Sequence, residues 1–179
     1  MKQLRNWISW LLLAAGAFFV LKGGSAVYPF FLPAPPAHIE GNTSKAWVPQ
    51  EGDYLAELQI PRLNATLYLV EGASEDALRL GVGHLQGTPM PGDAGNSVIA
   101  GHRDTHFRIL RDIKIGDELI VDRASRKVQY RVVQTSIVDP HNLDPIAPAT
   151  ERTLTLITCY PFYYIGPAPK RFIVKAVAR

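Results

Sequence analysis

The chain has 179 residues, of which 47% are hydrophobic and 20% charged, so it is long enough for one domain with a real core and too apolar for global disorder. Its formal net charge is +3, but basic and acidic residues are mixed along the chain, and no dense basic run or aromatic-studded basic strand predicts nucleic-acid binding. A single cysteine excludes an internal disulfide, and no Cys/His spacing fits a structural zinc site, so we expect no metal and no other cofactor.

The first 24 residues, MKQLRNWISWLLLAAGAFFVLKGG, have the pattern of a membrane segment. Lys2 and Arg5 precede an uncharged apolar run over residues 7–21, which is shorter than the about 20 residues of a typical spanning helix but is extended by the GGSAVYPFFL stretch. A cleaved signal peptide is the alternative, although no small-x-small site directly follows the run. Two tryptophans at its start are typical of interfacial anchors. We therefore predict an uncleaved, single-pass signal anchor over residues 1–24, with the remaining chain on the extracytoplasmic side of the cell membrane.

Residues 25–52 are rich in proline, glycine and small polar residues, a composition that favours an extended spacer. Residues 53–179 form the folded domain and contain short β-branched segments separated by turn signals. Ser74 is a candidate N-cap for a short helix, and THFRILRDI a candidate for one or two helical turns. The pattern predicts an all-β, mostly antiparallel barrel or sandwich, which periodicity alone does not distinguish.

The only cysteine, Cys159, follows the apolar strand TLTLIT and precedes YPF. A buried structural cysteine and a nucleophile both fit this position. A thiol reacts as the thiolate, so catalysis would need a base or a positive neighbour. The chain has five histidines: His38, His84, His102, His106 and His141. His38 lies in the spacer and His141 in a turn, whereas His102 ends the apolar strand SVIAGH. Two strand ends at one sheet rim would bring Cys159 and His102 together, which makes His102 the favoured base over His84 and His106.

Arg171 opens the last strand, RFIVKAV, soon after the strand of Cys159. If these two strands pair, its guanidinium lies beside the thiol, where a forked donor stabilises a developing oxyanion better than the flexible point charge of Lys170. An ordinary charge at a strand edge is the alternative for Arg171.

Three motifs together resemble the sortases, the membrane-anchored cysteine transpeptidases of bacteria: TLITC ending at Cys159, AGH ending at His102, and an arginine heading the final strand. The longer segments GVGHLQGTPMPGDAGNSVIAGHRDTHFRIL and TCYPFYYIGPAPKRFIVKA are similar to the class D branch. The resemblance covers residues 53–179 and implies a closed eight-stranded β-barrel with one or two short helices. It also implies that Cys159, His102 and Arg171 are the catalytic residues, with Thr158 beside them binding substrate.

The resemblance implies cleavage of an LPXTG-like sorting signal (Leu-Pro-any-Thr-Gly) between Thr and Gly, through a thioester on the cysteine that an amine acceptor then resolves. The implied partners are sorting-signal proteins, the amine acceptor and the cell membrane, with the enzyme expected to be a monomer and to bind no nucleic acid. Two alternatives remain at this point. One is a thiol peptidase that uses the same residues, and the other is a catalytically inactive, membrane-tethered binding module.

Overall fold

The computed structural model describes residues 47–123, 126–164 and 166–179. The predicted signal anchor (1–24) and nearly all of the predicted spacer (25–52) lie outside these residues. Eight strands close into a barrel in the order β1-β2-β3-β4-β7-β8-β6-β5. Their bounds are β1 Tyr54–Ile60, β2 Ala65–Glu71, β3 Val82–His84, β4 Asn96–Gly101, β5 Glu118–Arg123, β6 Arg126–Val138, β7 Thr153–Tyr160 and β8 Lys170–Ala178. The closed eight-stranded barrel predicted from the sequence is confirmed.

Alternating apolar residues of the strands fill the barrel interior. In β1, for example, Leu58 and Ile60 are fully buried while Glu57 and Gln59 between them are partly exposed, because successive side chains of a strand point to opposite faces. In β7, Leu154 and Leu156 are fully buried, and Thr153 and Thr155 on the opposite face are buried too, so this strand is covered on both faces over its first half. The largest buried side chain, Tyr130 of β6, uses its hydroxyl to accept a hydrogen bond from the backbone N–H of Gly92 at 2.7 Å.

The described residues contain one α-helix, α1, which spans Glu75–Leu80 between β2 and β3. Ser74 is its N-cap, and the Ser74 side chain accepts a hydrogen bond from the Ala77 N–H at 3.2 Å, as the sequence predicts. The described residues also contain three 3₁₀ segments: Pro61–Leu63, His106–Asp112 and Asp144–Ile146. The second of these is the helical turn expected for THFRILRDI. No helix among the residues that the structure describes is both long and apolar enough to cross a membrane.

Two of the strand pairings are parallel, β2 with β3 and β4 with β7. A parallel pair needs a crossover connection, and α1 provides the one between β2 and β3. The β4–β7 crossover runs through the His106–Asp112 segment, β5 and β6. Parallel strands end at the same edge of a sheet, so the carboxyl ends of β4 and β7 lie side by side at one rim of the barrel.

Candidate active site

The barrel rim brings together the three residues that the sequence singled out. Gly101, the last residue of β4, pairs with Thr158 on β7, and His102 follows Gly101 directly. On the other side of β7, Cys159 pairs with Arg171 of β8 across an antiparallel ladder. His102, Cys159 and Arg171 therefore occupy neighbouring positions on three adjacent strands. The strand of Cys159 ends one residue beyond the thiol, at Tyr160, where β8 pairs with it up to Lys170. Cys159 therefore lies at a strand end, as the sequence predicts.

Thr158 fixes the register of this rim. Its side chain is buried, and its hydroxyl donates a hydrogen bond to the Gly101 carbonyl at 2.7 Å. The bond joins the residue before the histidine to the residue before the cysteine. Since the hydroxyl is used inside the barrel, substrate contact by Thr158 stays a prediction, and the structure gives the side chain a positioning contact instead.

Gly101 also allows the turn after β4 to close tightly. A Cβ atom at this position would lie 2.6 Å from Cδ2 of the Phe107 ring, so any larger residue would displace a side chain that is fully buried. The Phe107 N–H donates to the His102 carbonyl at 3.0 Å. The glycine of the AGH motif is therefore required by packing, and it holds His102 against the His106–Asp112 segment.

The thiol and imidazole at this rim are partly exposed. Cys159 is a free, half-buried thiol, and the side chain of His102 is 32% exposed. Arg171 is half-buried and uses Nη1 to donate to the carbonyls of Ala168 at 3.3 Å and Lys170 at 3.1 Å. Within the described part of the chain its Nε and Nη2 make no hydrogen bond, so the residue paired with Cys159 has free donors.

His84, one of the alternative bases, is occupied by a buried polar network. Its Nδ1 lies 2.9 Å from a carboxylate oxygen of Glu71, and its Nε2 lies 3.1 Å from both the Pro89 carbonyl and the Thr88 hydroxyl. The Thr88 hydroxyl already donates to the Leu85 carbonyl at 2.7 Å, so it accepts from His84. Both ring nitrogens of His84 are therefore held in hydrogen bonds inside the protein. Neither nitrogen is free to act as a base.

His106, the other alternative, lies near the rim but is not part of the strand register that joins His102 to Cys159. Burial, and then the nearby His102, lower the pKa of His106, while a hydrogen bond with the Leu78 backbone partly opposes this. Its Nδ1 is buried without a partner among the described residues. His106 therefore remains neutral near pH 7, and its ring lies near the Leu78 backbone of α1. His141 is exposed in the loop after β6, and His38 lies outside the described residues.

An arginine–tyrosine clamp (Arg103, Arg108, Arg111, Tyr163 and Tyr164) joins the chain after His102 to the chain after Cys159. Arg103 Nη2 donates to the carbonyls of Tyr164 at 2.8 Å and Gly166 at 3.1 Å, and its guanidinium lies 5.7 Å from the Tyr164 ring centroid. Arg108 and Arg111 lie 5.9 Å and 5.8 Å from the Tyr163 ring centroid, and Arg111 also donates to the Tyr163 hydroxyl. The sequence analysis did not predict this clamp. Its arginines lie in HRDTHFRILR and its tyrosines in YPFYY, and these two clusters were the feature from which it could have been found.

The comparisons with known proteins agree with this geometry. A sortase domain family model matches residues 58–179, which is most of the chain. The chain belongs to the sortase family. This sortase is 38% identical over 136 residues to Sortase D of Bacillus subtilis (strain 168), covering 75% of this chain and 69% of that relative. The resemblance to class D is thereby confirmed, and the enzyme is a cysteine transpeptidase by family.

Solved sortase structures share the barrel. A Clostridium perfringens Sortase D5 transpeptidase superposes with a TM-score of 0.67 at 29% identity, covering 74% of this chain and 82% of that one. Sortase C from Clostridium perfringens SM101 gives a TM-score of 0.65 at 32% identity, covering 73% of this chain and 72% of the other. Both overlaps span most of the barrel that positions the rim residues of this sortase.

The rim supplies the three functions that acyl transfer through sulfur requires. A thiol provides the nucleophile, an imidazole exchanges protons with it and with an amine, and a guanidinium donates hydrogen bonds to an oxyanion. No group of three or more His, Cys, Asp or Glu side chains able to hold a metal ion occurs in the described ranges.

Proposed function

We propose that this sortase cleaves an LPXTG-like sorting signal between Thr and Gly and transfers the acyl group to an amine. The observation that supports this best is the rim register, in which Cys159 pairs with Arg171 and His102 follows the Gly101–Thr158 pair. The family uses a cysteine nucleophile, and Cys159 is the only cysteine of the chain.

In the first half-reaction, the Cys159 thiolate attacks the carbonyl carbon of the Thr residue, and Arg171 donates hydrogen bonds to the oxyanion that forms. The tetrahedral intermediate collapses when the protonated His102 gives its proton to the Gly nitrogen, which leaves as a free amine. The C–N bond is broken, and the acyl group remains on Sγ as a thioester.

In the second half-reaction, an amine attacks the thioester carbonyl while His102 accepts its proton. The new amide bond forms as the C–S bond breaks, and the thiolate and imidazolium are regenerated. No net redox change occurs, and each proton that His102 gives in one half-reaction is recovered in the other. Water in place of the amine would give a free acid, which is the outcome of a thiol peptidase.

An assay of the purified enzyme with an LPXTG peptide, with and without an added amine such as triglycine, tests the proposal. We expect an amine-linked product that depends on added amine and disappears in Cys159→Ala. Free acid alone would indicate the peptidase, and no turnover with any LPXTG-like peptide would favour the inactive binding module. Turnover in Cys159→Ala would refute the assignment of the nucleophile.

We further propose that residues 1–24 anchor the enzyme as a single pass, with the catalytic domain of residues 53–179 outside the cytoplasm and residues 25–52 as a spacer. Lys2 and Arg5 ahead of the apolar run support this orientation. Protease added to intact spheroplasts should then digest the catalytic domain, and recovery of the whole protein in the soluble fraction would contradict the anchor.

A further inference from the structure

We propose that Glu75 of α1 is a positioning residue for His102. The Glu75 carboxylate stabilises the protonated imidazole of His102 and, with it, the thiolate form of Cys159. The inference rests on the roles given above to His102 and Cys159. Glu75 would then be a fourth side chain that takes part in the reaction, and it lies on a helix and not on a strand of the barrel.

The contact is a long ion pair at the edge of the site. Glu75 Oε2 lies 3.7 Å from His102 Nε2, and Glu75 Oε1 lies 3.8 Å from Arg79 one helical turn later. No other carboxylate of the described residues lies within ion-pair distance of His102. Since Nε2 is the ring nitrogen turned to Glu75, Nδ1 is left to exchange a proton with the thiol.

The position of Glu75 is set by the helix. The Ser74 side chain caps α1 and thereby orders the first turn, to which Glu75 belongs. The Leu78 backbone of α1 lies near the ring of His106, four residues after His102, so the helix lies beside the same turn. The cap and this proximity place Glu75 near the imidazole independently of the ion pair itself.

Among the other charged and titratable groups near His102, Arg171 of β8 and Arg103 are cations, and His106 is kept neutral because burial and His102 lower its pKa. Asp104 and Asp76 are exposed acids in the neighbouring sequence, but neither forms an ion pair with His102. Cys159 of β7 is the group that gives the proton. Glu75 is therefore the described negative charge that offsets the arginines at the moment when the proton moves from sulfur to imidazole.

The test is alkylation of Cys159 by iodoacetamide, followed by mass spectrometry across pH, because the reagent reacts with the thiolate and the chain has no other cysteine. We compare wild type, Glu75→Gln and Asp76→Asn. Asp76 is the matched control, since it is an exposed acid in the same first turn and makes no ion pair to a described residue. Glu75→Gln removes the charge but keeps the size of the side chain.

Glu75→Gln should be alkylated roughly two- to five-fold more slowly than wild type below pH 7 at low salt, the range of an exposed ion pair. The difference should vanish at high pH, where the thiol ionises without help, and in 1 M salt, which screens exposed charges. Asp76→Asn should behave as wild type. Equal rates for Glu75→Gln and wild type, or an equal loss in Asp76→Asn, would overturn the proposal. Alkylation needs no peptide, so its result is distinguishable from a failure of the transpeptidation assay.

Discussion

Cys159 and Arg171 lie directly opposite each other on β7 and β8, although a twelve-residue step along the chain separates them. The barrel ladder, and not the connecting segment, fixes this relationship. Each strand is in turn held by a further neighbour, β7 by β4 and β8 by β6. The thiol and the guanidinium are therefore held on a rigid frame, which is what stabilisation of a short-lived oxyanion requires.

This pairing predicts a strong dependence on the guanidinium. Arg171→Lys keeps the charge but loses the forked donors, so we expect kcat/KM for an LPXTG peptide to fall by about 10²-fold, as for removal of one oxyanion donor. Lys170→Arg, at the neighbouring position, is the control and should change little. Thermal unfolding should show both variants folded, and a wild-type rate in Arg171→Lys would refute the role of Arg171.

The arginine–tyrosine clamp predicts a second effect on activity that does not involve the reacting atoms. Arg103→Ala removes two hydrogen bonds to the segment after Cys159 and one cation–π contact. We expect kcat/KM to fall about ten-fold or more because the chain on either side of the rim would be less firmly positioned next to Cys159 and His102. Limited proteolysis should cut between β7 and β8 faster than in wild type. Arg131→Ala, an exposed arginine of β6, should show neither effect.

The buried His84–Glu71 pair predicts a large stability effect without a catalytic role. Glu71→Gln takes the carboxylate away from the buried Nδ1 of His84, so the free energy of unfolding in urea should fall by about 1–3 kcal/mol. The double variant Glu71→Gln, His84→Gln removes both partners and should recover part of that loss. If the loss of unfolding free energy in the double variant equals the sum of the losses in Glu71→Gln and His84→Gln, the two residues are not coupled.

The Arg62–Asp117 pair predicts how the free energy of unfolding varies with pH in the acidic range. Arg62 Nη2 donates to Asp117 Oδ2 at 2.7 Å, and this bond, with help from the Lys114 N–H, lowers the pKa of the buried carboxyl. A lowered pKa in the folded state means that the stabilisation is complete above the unfolded value of about 3.9 and is lost as pH falls through the folded value. Asp117→Asn should therefore be less stable than wild type at pH 7, and the two urea curves should converge toward pH 2. A constant difference across that range would contradict the linkage.

The sequence predicted the strands, the Ser74 cap and the meeting of Cys159, His102 and Arg171 because each rests on a local pattern or a family motif. It did not predict that β4 and β7 run parallel, since a period of two specifies which face of a strand is buried and not which strand pairs with it. The clamp was missed for a related reason: Arg103 and Tyr164 are 61 residues apart. The sequence also did not predict that Glu71 is the partner of His84, because nothing in the local pattern at the end of β2 indicates a contact with a buried histidine.

The Thr158–Gly101 hydrogen bond has a consequence for the face of the sheet on which the thiol lies. Thr158 is buried, and successive side chains of a strand point to opposite faces, so Cys159 lies on the outer face of β7. A slip of one residue in β7 would exchange the two side chains and place the thiol inside the barrel. The outward position of Cys159 therefore depends on whether its place along β7 is odd or even, and no change confined to the neighbouring loops would alter it.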